Sequence, residues 1–208
     1  MPKGVPLTKE DLEKRRHEIF HRVVKVFLKK GFHETSMREI ADAAGLGKST
    51  LYDYFKTKDE ILIYFFEDQL RNMTQEAQRI ALQNVSADKR LHEIMERHLE
   101  SLLENKNLFL KLMQESRRLK LQSQKHIQAK RYTYQDLISA LIDEGIREGV
   151  FRKVNSLLTA RLLISSISSA IFGSRSTGSP QKMLQETLEI FLKGIEICPS
   201  SMNEITSK

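Results

Sequence analysis

The sequence predicts an all-α fold, and three features of the chain lead to that prediction. Residues 7–179 contain no proline, so nothing in that stretch interrupts a long helix. Apolar residues recur at the three- and four-residue spacing of a helix face. No segment of useful length alternates apolar and polar residues, as a half-buried strand would. The first apolar face consists of Leu12, Ile19, Phe20, Val23, Val24, Phe27 and Leu28.

Four helices are predicted in the N-terminal part of the chain. The first ends at Gly31, because glycine commonly closes a helix. The second begins with a capping box formed by Ser36 and Glu39, and Thr57 with Glu60 forms the same motif at the start of the fourth. The expected ranges are 9–30, 37–44, 48–54 and 58 to about 82.

Five further helices are predicted in the rest of the chain. Their expected ranges are 87–104, 107–121, 124–148, 155–173 and 181–197. The Gly- and Ser-rich stretch at 173–180 marks a loop before the last helix. The capping box at Thr57 follows Phe55 and Lys56 directly, so a first domain at 1–57 should join a second at 58–208 without a flexible linker.

The composition is that of a folded protein with a polyanionic partner. With 208 residues, 40% hydrophobic and 29% charged, the chain can bury a sizeable core. One cysteine, Cys198, cannot form an internal disulfide, and neither a signal peptide nor a membrane-spanning stretch is recognisable, so we expect a cytoplasmic protein without membrane contact. The net charge is +7, and residues 1–58 hold 13 Lys/Arg against 8 Asp/Glu. The basic surplus therefore lies near the N-terminus, which favours a nucleic acid over a small anionic substrate.

The short helices at 37–44 and 48–54 have the spacing of a helix-turn-helix. Ala41 is small where the two helices approach each other, Gly45 permits the left-handed backbone conformation of a tight turn, and Leu51 fills the core between the helices. A plain helical hairpin can have the same spacing, so these three residues alone leave both interpretations open.

The second of these short helices has a polar face suited to the major groove of DNA. The residues on that face are Lys48, Ser49, Thr50, Asp53 and Tyr54. The N-termini of the helices that begin near 37 and 58 offer unpaired backbone N–H groups and partial positive charge, with Thr35, Ser36 and Lys58 close by. We expect these positions to contact phosphates, which fix the register of a protein on DNA but not its sequence preference.

The string GFHETSMREIADAAGLGKSTLYDYFKTKDEIL resembles the N-terminal DNA-binding domain of the TetR/AcrR family of bacterial transcriptional regulators. The resemblance runs without gaps from about Arg16 to Leu62, and it departs at Gly47, where the family more often has a polar residue. It implies base contacts from Arg38, Lys48, Ser49 and Thr50. It implies contacts to the DNA backbone from Tyr52, Tyr54 and Lys58.

Two assignments within this region stay open. Tyr52 could pack between helices instead of contacting DNA. The basic run of Lys14, Arg15 and Arg16 could be a phosphate-seeking arm or the polar face of the first helix.

The same resemblance implies a homodimeric, ligand-responsive regulator, most often a repressor, that leaves a palindromic duplex operator when a small, largely apolar effector binds. It implies no cofactor. At about 1.5 Å per residue the fourth helix spans roughly 36 Å and could transmit the change to the DNA-binding head. The alternative is a helix-turn-helix scaffold that binds DNA, recruits a protein partner and does not respond to a small molecule.

A dimer surface is expected because one helix-turn-helix reads too few base pairs, and the last two helices are the candidates. Their apolar stripes, with small serines between them, could form a four-helix interface with a second copy. The predicted interface residues are Ile164, Ser168, Ile171, Phe172, Leu184, Leu188, Phe191, Leu192 and Ile195. The same stripes could instead be the core of one subunit.

Aromatic and sulfur-containing side chains between residues 59 and 154 are candidates for the effector pocket, because flexible Met and amphipathic Tyr suit varied ligands. The predicted lining residues are Phe66, Met73, Met95, His98, Phe109, Met113 and Tyr132. Possible polar anchors, which could equally be surface residues, are His92, His98, Arg117 and Arg118. No metal site is expected, because His92 and His98 are six residues apart and lie on different faces of a helix. No nucleophile turn, phosphate loop or paired-carboxylate motif indicates an enzyme.

Overall fold

The computed structural model describes residues 8–172 and 178–195. Within these residues the chain forms nine α-helices joined by turns, in agreement with the predicted all-α fold. The helices are α1 (Lys9–Lys30), α2 (Met37–Ala44), α3 (Lys48–Tyr54), α4 (Lys58–Ala81), α5 (Ala87–Glu104), α6 (Lys106–Ser116), α7 (Leu121–Arg147), α8 (Ser156–Phe172) and α9 (Pro180–Ile195). In this part of the chain, no helix combines the length and the apolar character needed to cross a membrane.

Capping residues predict the starts of α2 and α4, and the structure contains the full capping box at α2, whereas at α4 the Glu60 carboxylate binds the N–H one residue before Thr57. The Ser36 hydroxyl accepts a hydrogen bond from the Glu39 N–H, while the Glu39 carboxylate accepts one from the Ser36 N–H at 2.8 Å. At α4 the Thr57 hydroxyl accepts from the Glu60 N–H, and the Glu60 carboxylate accepts from the N–H of Lys56 at 2.7 Å. The caps satisfy backbone donors that have no partner inside the helix.

The largest difference from the predicted helices is at α6, which ends at Ser116 and not at 121. The turn that follows buries Leu119. The side-chain amide of Gln124 donates hydrogen bonds to the carbonyls of Arg117 and Leu119, at 3.2 and 2.7 Å. The Gln124 side chain therefore closes the turn after α6. Residues 116–121 contain no glycine or proline from which a turn could be predicted.

The chain divides into two compact units, of which the first comprises the residues up to Asp68 together with Asn107–Ile127. The predicted domain at 1–57 lies within this unit, which also includes the start of α4, α6 and the start of α7. Its core contains a run of aromatic rings from α1, α4 and α6. Phe20 stacks on Phe65 with ring centroids 5.4 Å apart, and Phe66 meets Phe109 edge to face at 5.9 Å.

The second unit comprises Gln69–Lys106 and the residues from Gln128 onward. In it α5 packs against α8 and α9, and these two pack against each other. Helix α7 has a close approach at Gly145, where a Cβ atom would lie 2.3 Å from the ring of Phe151. Only glycine allows Phe151 to pack there without a shift.

One buried arginine joins three segments of the second unit. The Arg90 side chain on α5 is 5% exposed and donates to the Ala81 carbonyl at the end of α4 at 2.8 Å. It also forms ion pairs with Glu144 at 2.9 Å and Glu148 at 3.4 Å. The guanidinium thereby fixes the C-terminal end of α4 against α5 and the carboxylates at the end of α7.

Candidate functional site

The turn between α2 and α3 has the geometry that the sequence predicts. Gly45 lies in the left-handed region with φ 69° and ψ 32°. Its N–H donates to the Asp42 carbonyl at 3.1 Å, and the Leu46 N–H donates to the Ala41 carbonyl at 2.9 Å. Ala41 and Leu51 are buried between the helices, as expected. These bonds set the angle at which α3 leaves α2.

Two arginines of α1 hold the C-terminal ends of both short helices. Arg22 donates to the carbonyl of Ala44 at 2.9 Å, and Arg16 donates from Nε to the carbonyl of Tyr54 at 3.1 Å. Cations at these positions satisfy terminal carbonyls and interact favourably with the helix dipole. Arg15 pairs with Glu18 at 2.6 Å on the surface of the same helix, and both Arg15 and Lys14 are exposed. The sequence prediction did not include Arg22.

The polar face of α3 is open to solvent. Lys48, Ser49 and Thr50 are exposed, and Tyr52 and Tyr54 are half-buried. The Lys48 ammonium lies 6.0 Å from the centre of the Tyr52 ring, so the ring both packs against the helix and faces a cation. Arg38 is likewise exposed on α2. Among residues 8–172 and 178–195, neither Arg38 nor Lys48 pairs with a carboxylate.

The three residues predicted beside the phosphate-binding helix starts already have partners inside the first unit. Thr35 is 1% exposed, and its hydroxyl donates to the Gly31 carbonyl at 2.6 Å. Ser36 caps α2. The Lys58 ammonium donates to the carbonyls of Phe32 and His33 at 3.0 and 2.7 Å. Their side chains therefore orient the starts of α2 and α4, and Lys58 adds positive charge there.

A cavity of about 260 Å³ lies in the second unit among α4, α5 and α7. Two of the predicted lining residues, Met73 and His98, border it. Met95 is fully buried elsewhere on α5, and Tyr132 is 52% exposed, with its hydroxyl accepting from Gln128 at 2.7 Å. The other predicted lining residues, Phe66, Phe109 and Met113, belong to the first unit and do not border this cavity.

Tyr134, which the sequence prediction missed, completes the cavity wall with His98. The Tyr134 hydroxyl lies 3.0 Å from Nδ1 of His98. Burial lowers the pKa of His98 to about 4 and raises the pKa of Tyr134 above its usual range, because both charged forms would lose hydration. Both groups are neutral near pH 7. The signal available in the sequence was the position of Tyr134 one turn before Ile138 on the buried face of α7.

The other possible polar anchors lie on the surface. His92 is 3.4 Å from Glu96, Arg118 pairs with Glu115 at 3.4 Å, and Arg117 is exposed. The part of the chain that the structure describes contains no group of three or more His, Cys, Asp or Glu residues placed to hold a metal ion.

The residues predicted for a dimer interface fall into two groups. Leu184, Leu188 and Ile195 are buried within the subunit, where α9 packs on α5 and α8. The half-buried members are Ile164, Ser168, Phe172, Phe191 and Leu192. The side chain of Ile171 lies outside the described residues. Leu184, Leu188 and Ile195 therefore lie in the core of one subunit, which is the alternative to an interface that the sequence left open.

Comparison with known proteins identifies the family. The family described as bacterial regulatory proteins, tetR family, matches residues 19–65, and the tetracyclin repressor-like C-terminal domain matches residues 84–195. The chain belongs to the TetR family of bacterial regulatory proteins. It is a DNA-binding transcriptional regulator, as the resemblance implied.

Several bacterial regulators are similar to most of the chain. The fatty acid metabolism regulator protein of Bacillus subtilis (strain 168) is 25% identical over 147 residues, which are 71% of this chain and 76% of that protein. The structure of PfmR from Thermus thermophilus is 26% identical with a TM-score of 0.71, covering 86% of this chain and 99% of PfmR. The structure of FadR from Bacillus subtilis in complex with stearoyl-CoA is 22% identical with a TM-score of 0.73 and covers 86% and 99% of the two chains.

Proposed function

We propose that this TetR-family protein is an operator-binding repressor, which binds a palindromic DNA duplex as a homodimer and releases it when a small molecule fills the cavity of the second unit. The observation that carries the proposal is the open polar face of α3. The cation on that face, Lys48, has no carboxylate partner within the described chain. The carbonyl groups near the C-terminal end of α3 are bound by Arg16 and Lys56.

The exposed side chains at the start of α3, together with Arg38 of α2, are the proposed contacts to DNA bases. Lys48 offers an ammonium to guanine O6 or N7, and the methyl group of Thr50 can meet a thymine methyl. Arg38 and Ser49, which are also exposed, complete the set that contacts bases. Lys48, Ser49 and Thr50 lie at the start of α3, which is the end that a recognition helix inserts into the major groove.

Phosphate contacts come from the starts of α2 and α4 and from the tyrosines of α3. The hydroxyls of Tyr52 and Tyr54 lie on half-buried rings, so they are held in place at little cost in conformational entropy. The backbone N–H groups near Ser36 and the ammonium of Lys58 supply positive charge at the other two points. Thr35 contributes by holding the preceding turn through its bond to Gly31.

The homodimer surface consists of apolar side chains that one subunit leaves exposed on α8 and α9. Leu158 and Leu162 are 50% and 51% exposed one turn apart, and Ile190 is 75% exposed. Phe191 is half-buried beside Ile190, and a Cβ at Gly194 would meet no atom within 4 Å. Large apolar side chains exposed in this way mark a protein interface. This surface differs from the buried stripe of Leu184, Leu188 and Ile195.

Helix α4 links effector binding to DNA binding because one helix carries residues of both functions. Lys58 lies at its start, and Met73 and Ala77 border the cavity from the last three turns of the same helix. A hundredfold loss of DNA affinity requires an effector to favour the DNA-free conformation by about 2.7 kcal/mol.

Selection of bound sequences from random DNA duplexes tests the proposal. We expect the purified protein to enrich a palindrome whose half-sites lie about one helical turn, roughly 34 to 36 Å, apart. A double variant, Arg38→Ala with Lys48→Ala, should enrich no sequence, whereas the matched variant Lys25→Ala on the exposed side of α1 should enrich the same palindrome. Enrichment of a single, asymmetric half-site would contradict the dimer, and no enrichment by the wild type would contradict the proposal.

A further inference from the structure

The cavity of the second unit has an apolar wall on one side and a charged rim on the other. Met73 and Ala77 of α4 and Ile94 of α5 form the apolar wall. The rim contains the carboxylates Glu76, Glu100 and Glu104. A molecule that fills the cavity therefore needs an apolar body and a polar head.

The charge of the rim is negative. Among the described residues that border the cavity, the one cationic side chain is Arg97, and it is bound to Glu100 at 2.7 Å. Glu76 is bound by Arg79 at 2.7 Å, a hydrogen bond that lowers the pKa of its carboxyl and keeps it ionised at neutral pH. Glu104 has no hydrogen-bond or ion-pair partner among residues 8–172 and 178–195. One carboxylate is therefore left without a cation of the protein.

The backbone adds to this negative potential. Helix α5 ends at Glu104, so its last carbonyl groups lie beside Ser101 and Glu104 at the same rim. The C-terminus of a helix carries partial negative charge and favours a cation. An anionic head group would meet like charge from both the carboxylates and the helix end.

His98 offers a hydrogen bond from the interior of the cavity. The residue is 5% exposed, and its Nδ1 is bound to Tyr134. In the described part of the chain its Nε2 atom has no hydrogen-bond partner. A ring nitrogen without a protein partner, on a residue that lines the cavity, is suited to bind a polar group of a ligand. Because the ring is neutral, it does not repel a cation.

We propose that the effector is an organic cation, a primary amine or quaternary ammonium with an apolar body of about ten heavy atoms. This rests on the proposed function, in which the cavity is the effector site. The ammonium lies among Glu100, Glu104 and the Tyr134 ring, whose face attracts cations. The apolar body lies against Met73 and Ile94. The size follows from volume, since a cavity of roughly 150 Å³ holds benzene and this one has about 260 Å³.

Three probes with the same apolar body and different head groups test the inference on the full chain. They are 4-phenylbutylamine, 4-phenylbutanol and 5-phenylpentanoate, which are cationic, neutral and anionic at pH 7. We expect isothermal titration calorimetry to give at least tenfold tighter binding for the amine than for the alcohol and the carboxylate. Tighter binding of the carboxylate, or no binding of any of the three, would overturn the inference.

Variants of the rim locate the cation. The double variant Glu100→Gln with Glu104→Gln should weaken amine binding at least tenfold and leave alcohol binding unchanged. Glu96→Gln is the matched control, because Glu96 lies on α5 but does not border the cavity and pairs with His92. Amine binding that is equally strong in the rim variant and the control would overturn the inference.

Operator binding separates this inference from the proposed function. The selected DNA duplex is titrated with protein in the presence and absence of the amine, and its affinity is followed by fluorescence anisotropy. If the amine binds with the expected charge dependence and lowers DNA affinity, the results support both the cation site and the effector role of the cavity. If the amine binds with that charge dependence and DNA affinity does not change, the result supports the cation site and contradicts the effector role of the cavity.

Discussion

At the scale of single residues, Lys58 combines a structural bond with a charge that can reach DNA. Its ammonium donates to two carbonyls beside the start of α2, and it lies at the start of α4. We predict that Lys58→Ala weakens binding to every DNA sequence and lowers the slope of log affinity against log salt by about one. Thr50→Ala should relax base preference and keep the slope. Fluorescence anisotropy over a salt series measures both, and an unchanged slope for Lys58→Ala would remove Lys58 from the phosphate contacts.

Gly45 is constrained by its backbone conformation and not by space. A Cβ there would meet only the Arg22 side chain, at an ordinary 3.7 Å, but φ is +69°. We predict that Gly45→Ala lowers the free energy of unfolding by about 1 kcal/mol. Gly47→Ala is the control, because φ is −65° and the nearest side-chain atom is at 3.8 Å. The loss of glycine's preference for the N-cap is there offset by the lower conformational entropy of the unfolded chain, so the net cost should stay within about 0.5 kcal/mol. Urea unfolding compares the two, and equal losses would contradict the prediction.

His98 should make stability depend on pH, because burial lowers its pKa in the folded protein to about 4 from 6.5. Between these values the unfolded chain binds more protons, so the free energy of unfolding falls as pH falls from 6.5 to 4. The total loss from this residue is about 3 kcal/mol. Urea unfolding of the wild type and of His98→Phe at several pH values isolates the effect. The difference between the two proteins should change over this range, and a constant difference would contradict the prediction.

The sequence predicted residues whose role is set by local rules and missed those whose role depends on the fold. Gly45 could be placed because a tight turn requires a left-handed residue, and Ser36 because a capping box is local. The bonds of Arg16 and Arg22 could not be predicted, because a long charged side chain turns inward only where the tertiary structure brings carbonyl groups within its reach. Tyr134 was missed at the cavity for the same reason, since its place there depends on how α7 packs.

At the scale of elements, the predicted bounds are correct for four helices, of which α1 and α2 begin with a side-chain cap and α3 and α5 do not. Helices α1, α2 and α3 have the predicted bounds, and α5 does as well. The end of α6 was missed by five residues because the turn after Ser116 is closed by the Gln124 side chain and by burial of Leu119, neither of which is a local signal.

The connection among α4, α5 and α7 in the second unit depends on Arg90. Its guanidinium holds the carbonyl of Ala81 and the carboxylates of Glu144 and Glu148. We predict that Arg90→Met lowers the free energy of unfolding by about 2 to 3 kcal/mol, because buried hydrogen bonds to a charged group are lost. Arg90→Lys should recover part of this loss, since lysine keeps the charge but not the two-pronged geometry.

Lys89→Met is the control for Arg90, because Lys89 is the neighbouring residue and is exposed. Its effect should stay within about 0.5 kcal/mol. Thermal and urea unfolding of the three variants give the comparison. A loss at Arg90→Met no larger than at Lys89→Met would show that the ion pairs are not needed for stability.

At the scale of the whole molecule, the proposed function requires two copies of the chain, and α8 and α9 expose apolar side chains that we propose contact the second copy. On α9 the predicted stripe contains Leu184, Leu188 and Ile195, which are buried in the subunit. Ile190 on the neighbouring face of the helix is exposed. Periodicity identified α8 and α9 as the candidate helices, but it could not assign each apolar side chain to the core or to the interface, because both surfaces repeat at the same spacing.

Replacement of Leu162 by glutamate should separate the two copies without unfolding either one. Leu162 is 51% exposed in the subunit, so the change costs the isolated fold little, but a carboxylate in an apolar interface loses hydration without gaining a partner. We predict that Leu162→Glu weakens dimerisation by at least about 2 kcal/mol, or roughly thirtyfold, which sedimentation velocity at micromolar concentration measures. Leu82→Glu is the control, because Leu82 is 88% exposed and lies outside the proposed interface. Operator affinity should fall with Leu162→Glu alone, and a Leu162→Glu protein that dimerises like the control would place the interface elsewhere.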